Sequence, residues 1–335
     1  MNISSTKKDR RSVKFLGCAA LSALVLSGAV AHTHAATFPA KTVTIIVPFA
    51  PGGATDLIAR IIAPRLASRL GKDVIVENRS GASGLIGSAA VVNAAADGHM
   101  LLLTDTSFAT AAALTPERPV ANGKELTPIT MIATAPYVVA VNPQLHVKTL
   151  PEFIALARKP AKGDLTYASA GPGSSTHLAG EWFNALIGSR MLQVPYRGGS
   201  AAVQGMIAGQ VDATFLTIPS VLPYAETGRM KILAVTSEKR SAVLPNVPTT
   251  LEAGLPKMQG VNWNGLFASV KTPKNVITQI NKEMTYILHL PEIQSQFASM
   301  ALDPAPGSPE NAEAFISKDI QRWTEVIKAG NIKVE

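Results

Sequence analysis

Twice along the chain a strand-like run enters a glycine turn, and the turn opens directly into a helix. Thr42 to Phe49 reads TVTIIVPF, then come Pro51-Gly52-Gly53 and a helical pattern from Asp56. Asp164 to Ser169 reads DLTYAS, then come Gly171 to Ser175 and a helical pattern from Thr176. A strand that returns through a glycine turn as a helix is the half-unit of a parallel α/β sheet. Two such units in a chain of 335 residues imply two sheets, because one core stops growing at about 250–300 residues.

The intervening sequence supports alternating strands and helices. Asp56 to Leu70 places Leu57, Ile58, Ile61, Ile62 and Leu66 on one face. Pro64 interrupts that pattern and predicts a kink or a short helix, since an interior proline costs about 3 kcal/mol. Strands follow at Asp73–Glu77 and Met100–Thr104, with a helix from Leu85 to Ala95 between them. This β-α-β-α-β order predicts parallel strands and right-handed crossovers. Ile129 to Asn142 reads as two short strands broken at Pro136, a crossing into a second domain. There, helices are predicted at 150–158, 176–187, 201–208 and 219–228, and strands at 164–169, 191–194, 213–217 and 232–236. Gly260 to Val270 reads as the return strand, and Pro273–Leu288 and Pro309–Ala329 close the chain as helices.

Lys7, Lys8, Arg10, Arg11 and Lys14 face a single acid, Asp9, ahead of the apolar run Phe15–Val30. Thr33-His34-Ala35 then offers small residues at the positions a signal peptidase reads. Residues 1–35 are therefore expected to be a secretory signal peptide, cleaved after Ala35 or Ala36. The apolar run falls short of the roughly 20 residues needed to span a bilayer. Removing five bases and one acid takes the net charge from +8 to +4, and no later basic run could track phosphates, so nucleic acid is not an expected partner. Cys18 is the only cysteine; it comes too early in the apolar run for lipidation, and its removal leaves no thiol chemistry.

The chain lacks a G-x-S-x-G elbow, an H-E-x-x-H motif, a P-loop and a dinucleotide fingerprint. His99, His146, His177 and His289 have no metal-ligand spacing, and neither cofactor nor catalytic residue is expected. Each glycine turn instead leaves helix N–H groups free at the positive end of the helix dipole. Two turns facing across a cleft could grip one anion, although most glycine turns only connect elements. Asp56 can cap its helix or touch ligand; His177 can donate to a carboxylate or pack; Arg197 can pair with an acid or reach ligand.

The run Val47-Pro48-Phe49-Ala50-Pro51-Gly52-Gly53-Ala54-Thr55-Asp56, with Ala59-Arg60, resembles the opening signature of the Bug substrate-binding proteins of tripartite tricarboxylate transporters. Val76 to Gly84, Tyr167 to Glu181, Val194 to Gly198, Ala208 to Asp212, Leu244 to Thr249 and Trp263 to Phe267 extend the resemblance over the mature chain. It implies a type II periplasmic-binding fold: two α/β domains, two crossover strands and a cleft that closes on a carboxylate. The family commonly holds that group through backbone amides, hydroxyls and waters. Ala201, Gly205 and Leu216 depart from common family residues, and Leu216 in place of an acid argues against an ammonium-bearing ligand. The loop Thr104-Asp105-Thr106-Ser107-Phe108 is not a common version either.

The expected organisation is a signal peptide over 1–35, one discontinuous domain over 36–137 and 262–335, and a second over 138–261. The expected function is a periplasmic, monomeric, non-enzymatic solute-binding protein that passes a small carboxylate to a membrane permease. A sensor handing the closed form to a membrane receptor is the alternative. The candidate ligand-binding residues are Phe49, Ala50, Pro51, Gly52, Gly53 and Thr55 in the first turn; Ser83; Thr106 and Ser107; Ser169, Gly171, Ser174, Ser175 and His177 in the second turn; and Thr217.

Overall fold

The computed structural model describes residues 38–117, 123–159 and 164–332. The expected signal peptide over 1–35 lies outside the described residues, as do the ends of the expected first domain at 36–37 and 333–335.

The chain begins as the alternation predicts. β1 (Val43–Val47) leads through the glycine turn into α1 (Ala54–Leu70); β2 (Val74–Asn78), α2 (Leu85–Val92) and β3 (Met100–Asp105) follow. β1 lies between β2 and β3 and is parallel to both. Val43, Ile45 and Val47 bury one face beneath α1, with Leu101 and Leu103 beside them. The alternative of a short helix is not found, for α1 runs 17 residues, through Pro64, to a left-handed cap at Gly71. Pro64 sits on the exposed face, where water can solvate the Arg60 carbonyl that loses its helical donor. An eight-residue helix, α3 (Ser107–Leu114), follows β3 where the sequence suggested only a loop.

The crossing is longer than two short strands. β4 (Leu126–Pro136) spans 11 residues, and β5 (Val138–Val141) starts one residue later in a different sheet. The second half continues as α4 (Leu150–Ala157), β6 (Thr166–Ser169), α5 (Ser175–Ile187), β7 (Leu192–Pro195), α6 (Gly199–Ile207), β8 (Ala213–Thr214), α7 (Ile218–Glu226) and β9 (Lys231–Val235). β10 (Val261–Ser269) then returns to the first sheet, followed by α8 (Lys274–Leu288), α9 (Pro291–Ala298), β11 (Asp303–Pro304) and α10 (Pro309–Gly330). α9 and β11 have no counterpart in the sequence reading.

The two sheets share one plan. The first has the order β11-β4-β10-β3-β1-β2 and the second β7-β6-β8-β5-β9. In each, three parallel strands, β2-β1-β3 or β7-β6-β8, are flanked by an antiparallel strand that the other half of the chain delivers, β10 or β5. The carboxyl ends of β1 and β6 thus carry equivalent turns, each opening a helix. α10 lies across both halves: Trp323, fully buried, packs edge-on against Trp182 of α5 at 6.1 Å, and one apolar cluster joins residues of both sheets.

Candidate functional site

The β1–α1 turn is held from behind. Asp56 is buried in the first turn of α1; its Oδ2 accepts the Gly52 N–H at 2.9 Å and Arg60 Nε at 2.9 Å, and its Oδ1 accepts Asn78 Nδ2 at 2.9 Å. Burial opposes the charge, but Arg60, the Gly52 N–H and Asn78 outweigh it and hold the carboxyl below its ordinary range. Asn78 Nδ2 also donates to the Phe49 carbonyl at 3.1 Å, tying β2 to the turn. Asp56 therefore organises the loop. Gly52 has φ +81°, a left-handed conformation that favours glycine, whereas Gly53, the N-cap of α1, has an ordinary φ of −79°. Thr55 accepts from the carboxamide of Asn264 on β10 at 3.0 Å. The first amides of α1 have no acceptor within the helix.

The β6–α5 turn is built from uncharged groups that satisfy one another. Gly171 N–H donates to Ser169 Oγ at 3.2 Å, and Ala170 N–H to Thr176 Oγ1 at 2.9 Å. Ser174 is the N-cap: its hydroxyl accepts the His177 N–H at 3.3 Å and donates to the Gly171 carbonyl at 2.7 Å. Ser169 also receives Gln193 Nε2 at 2.6 Å. His177 holds its own loop through one ring nitrogen. Its Nδ1 accepts the Gly173 N–H at 3.0 Å, which places the proton of the neutral ring on Nε2, 4.0 Å from Glu181 Oε1. Burial pushes the imidazole down to about 4, so it is neutral at pH 7.

The two lobes meet across the cleft, the β1–α1 turn against the start of α6 and the β6–α5 turn against Ser83 and α3. Ser200 at the start of α6 donates to the Pro51 carbonyl at 2.9 Å, Ser175 N–H donates to Ser107 Oγ at 3.1 Å, and Thr110 donates to the Gly173 carbonyl at 2.8 Å. Ser83 Oγ donates to the Pro172 carbonyl. Ser83 and its neighbour Ala82 both have positive φ, +52° and +46°, which non-glycine residues adopt at a cost. Gly198 comes so close to Ala50 that an added Cβ would stand 3.3 Å from the Ala50 nitrogen.

Between these loops is a cavity of 520 Å³ whose walls include Phe49, Ser83, Gly171, Tyr196 and Arg197, contributed by both halves of the chain. A larger depression of 730 Å³ lies on the outer side of α5, beside His177, Glu181 and Arg190; no strand of the first sheet lines it. Arg197 is exposed on the cavity wall, and among the described residues no carboxylate lies within 4.0 Å of it. The start of α6 could have pointed to it, because Tyr196-Arg197-Gly198 follows a strand as the two glycine turns do. Thr106 Oγ1 accepts the Trp263 N–H at 2.9 Å beneath the cleft, and Thr217 pairs with Tyr137 at the crossing. Phe108 lies in the core against Phe267 at 4.8 Å. Gly205 has a local reason: a Cβ there would stand 2.1 Å from the Tyr196 hydroxyl.

Two α/β lobes joined by two crossover strands, with turns facing across a cleft, define a type II periplasmic binding protein. Residues 58–332 match the family described as "Tripartite tricarboxylate transporter family receptor", and the chain belongs to that family of periplasmic solute-binding proteins. Among its relatives is Protein BugT of Bordetella pertussis, 34% identical over 314 residues, covering 93% of this chain and 96% of BugT. The R. palustris protein Rpa4515, solved with adipate, superposes with a TM-score of 0.84 at 31% identity, covering 88% of this chain and 99% of that one. MatC from Rhodopseudomonas palustris, solved with bound malate, superposes with a TM-score of 0.82 at 31% identity, covering 87% of this chain and 100% of that one. No described helix is long and apolar enough to cross a membrane.

Proposed function

We propose that the protein captures a small carboxylate in the cleft and delivers it, unchanged, to a membrane transporter of the tripartite tricarboxylate type. The observation that carries this reading is the start of α1, whose first amides have no acceptor within the helix and whose preceding turn is bonded across the cleft to Ser200 of the opposite lobe. The adipate and malate held by two similar structures support a carboxylate as ligand, and the family description supports a transporter as partner. Phe49–Thr55 and Ser169–Thr176, with Ser83, Thr106, Ser107, His177 and Thr217, form the proposed binding region, in which His177 and Ser174 shape the loop. Residues 36–137 with 262–335, and 138–261, are the proposed lobes, hinged at Pro136–Val138 and Gly260–Asn262. Export through cleavage after Ala35 or Ala36 would bring the protein, as a monomer, to the periplasm.

Calorimetry against a panel of small mono- and dicarboxylates tests the reading. One acid should bind, shrink the radius of gyration in small-angle scattering and be recovered chemically intact. Failure of every acid to bind, or recovery of a converted product, overturns it. N-terminal sequencing of the periplasmic protein checks the cleavage site, and gel filtration checks the monomer.

A further inference from the structure

At the carboxyl end of β3 the protein places a carboxylate beside the segment that reaches the opposite lobe. Asp105 directly precedes Thr106 and Ser107, and Ser107 is one of the residues that reach the opposite lobe. The Asp105 carboxylate accepts the Ser107 N–H at 2.8 Å, and among the described residues no lysine, arginine or histidine forms an ion pair with it. Burial pushes its carboxyl up to about 6, the mark of a charge without a counter-ion.

Directly opposite on antiparallel β10 is Asn264, the register partner of Asp105, so the two side chains project from the same face of the sheet. Asn264 is fully buried; its Nδ2 donates to Thr55, while its Oδ1 has no hydrogen-bond partner. Buried acceptors are almost always paired, and an orphan is costly. Asp105, bonded by Ser107 but without a counter-ion, and Asn264 Oδ1, without a hydrogen-bond partner, thus stand side by side next to the first turn of α1, whose amides are proposed to hold the ligand's carboxylate. Two residues earlier on β10, Asn262 Oδ1 accepts long bonds from the Tyr137 and Ser175 hydroxyls, 3.3 and 3.4 Å. The floor is therefore rich in acceptors where the turn above it is rich in donors.

We infer that Asp105 and Asn264 form a second subsite that accepts hydrogen bonds from a donor group next to the ligand's carboxylate, so that the protein selects amino or hydroxy acids over unsubstituted ones. This inference rests on the carboxylate reading above. An ammonium meets the requirement best, since it brings three donors and the missing positive charge; a hydroxyl brings one donor. The argument from Leu216 against an ammonium does not reach this site. Leu216 is 2% exposed in the core of the second lobe, and Asp105 supplies a carboxylate from the other wall. Asp105 and Asn264 are specificity residues, and they leave the grip on the carboxylate to the turns.

The test is calorimetry on the native exported protein with acids that differ only at C2: succinate, malate and aspartate, then propionate, lactate and alanine. In a set that binds, the donor-bearing members should bind at least about tenfold tighter than the unsubstituted acid. Asp105→Asn should abolish the ammonium preference, while its carboxamide oxygen still serves a hydroxyl; this separates the two sources of the donor. The same variant should melt no lower than the native protein at pH 8, which shows that it folds. Equal affinities across a binding set, or an unchanged ammonium preference in Asp105→Asn, overturn the subsite and leave the carboxylate reading standing. If neither set binds, mass spectrometry of the acid released from freshly purified protein decides, and an acid without an amino or hydroxyl group overturns the subsite. If no acid is bound or released, both readings fall.

Discussion

The β1–α1 and β6–α5 turns occupy equivalent places in their sheets, yet they are held in opposite ways. The first is braced by charge from behind: Asp56 gathers Gly52, Arg60 and Asn78, and the first amides of α1 have no acceptor within the helix. The second is neutral and closed on itself, since Ser169, Ser174, Thr176 and His177 take up the amides of its own loop. What remains of the second turn points outward, to Ser107 and Thr110 across the cleft. Similar topology therefore does not make similar sites. On the proposed function, the first turn supplies donors to the anion and the second supplies a preformed surface that closes over it.

The sharpest way to break this comparison is to remove the charge. Asp56→Ala leaves the Gly52 N–H and Asn78 without their acceptor in a buried place and should cost about 2–4 kcal/mol of stability, because hydrogen bonds to charged groups are worth about 1.5–3 kcal/mol each. Urea denaturation reads this directly, and an unchanged midpoint would show that the brace is not needed. The neutral turn has its own signature in pH. The folded His177 pKa near 4 lies below the ordinary 6.5, so between those values the unfolded chain binds more proton. Its contribution, of order 1–3 kcal/mol, is complete above pH 6.5 and is lost as pH falls toward 4. His177→Gln keeps an acceptor for Gly173 without a titrating ring. The stability difference between pH 7 and pH 4.5 should therefore be smaller in this variant than in the native protein; equal pH profiles would refute the role given to His177.

Smaller effects sharpen the contrast between holding a turn and closing the cleft. Ser174→Ala removes an N-cap and should cost about 0.5–2 kcal/mol of stability. Thermal unfolding tests this, and a loss of ligand affinity with no loss of stability would move Ser174 from cap to ligand contact. Ser200→Ala removes one exposed bond across the cleft to the Pro51 carbonyl. It should leave stability nearly unchanged and weaken ligand binding by at most about tenfold, through a faster off-rate, since a neutral hydrogen bond is worth about 0.5–1.5 kcal/mol. An unaffected off-rate in stopped-flow measurements would mean that this contact does not secure closure.

Much of this organisation is legible in local sequence. The strand at Val43–Val47 follows from a β-branched, largely apolar run, and the turns after it and after Thr166–Ser169 follow from glycine. The ends of α10 are equally local: Ser308 caps it and Pro309 starts it. α3 was not legible, because Ser-Phe-Ala-Thr-Ala-Ala-Ala-Leu is buried nearly all round and shows no amphipathic period. The short helix that Pro64 suggested fails for a related reason: a proline's cost depends on whether the freed carbonyl meets water, which sequence does not display. Asp105 is a single charged residue at the end of a strand, and nothing in its neighbours separates it from a surface residue.

The sequence by itself thus determined the alternation of elements, the two glycine turns and the family, because each is written in residues close together along the chain. Tertiary structure decided which groups remain unspent. That Ser174 and His177 are consumed inside their loop, that Arg197 borders the cavity, and that Asp105 stands beside an unpartnered Asn264 depends on which strands pair and which lobes meet. The pairing of Asn264 with Asp105 follows from sheet register rather than local propensity; the bond from Asn264 to Thr55, 209 residues away along the chain, follows from where α1 is placed beside β10.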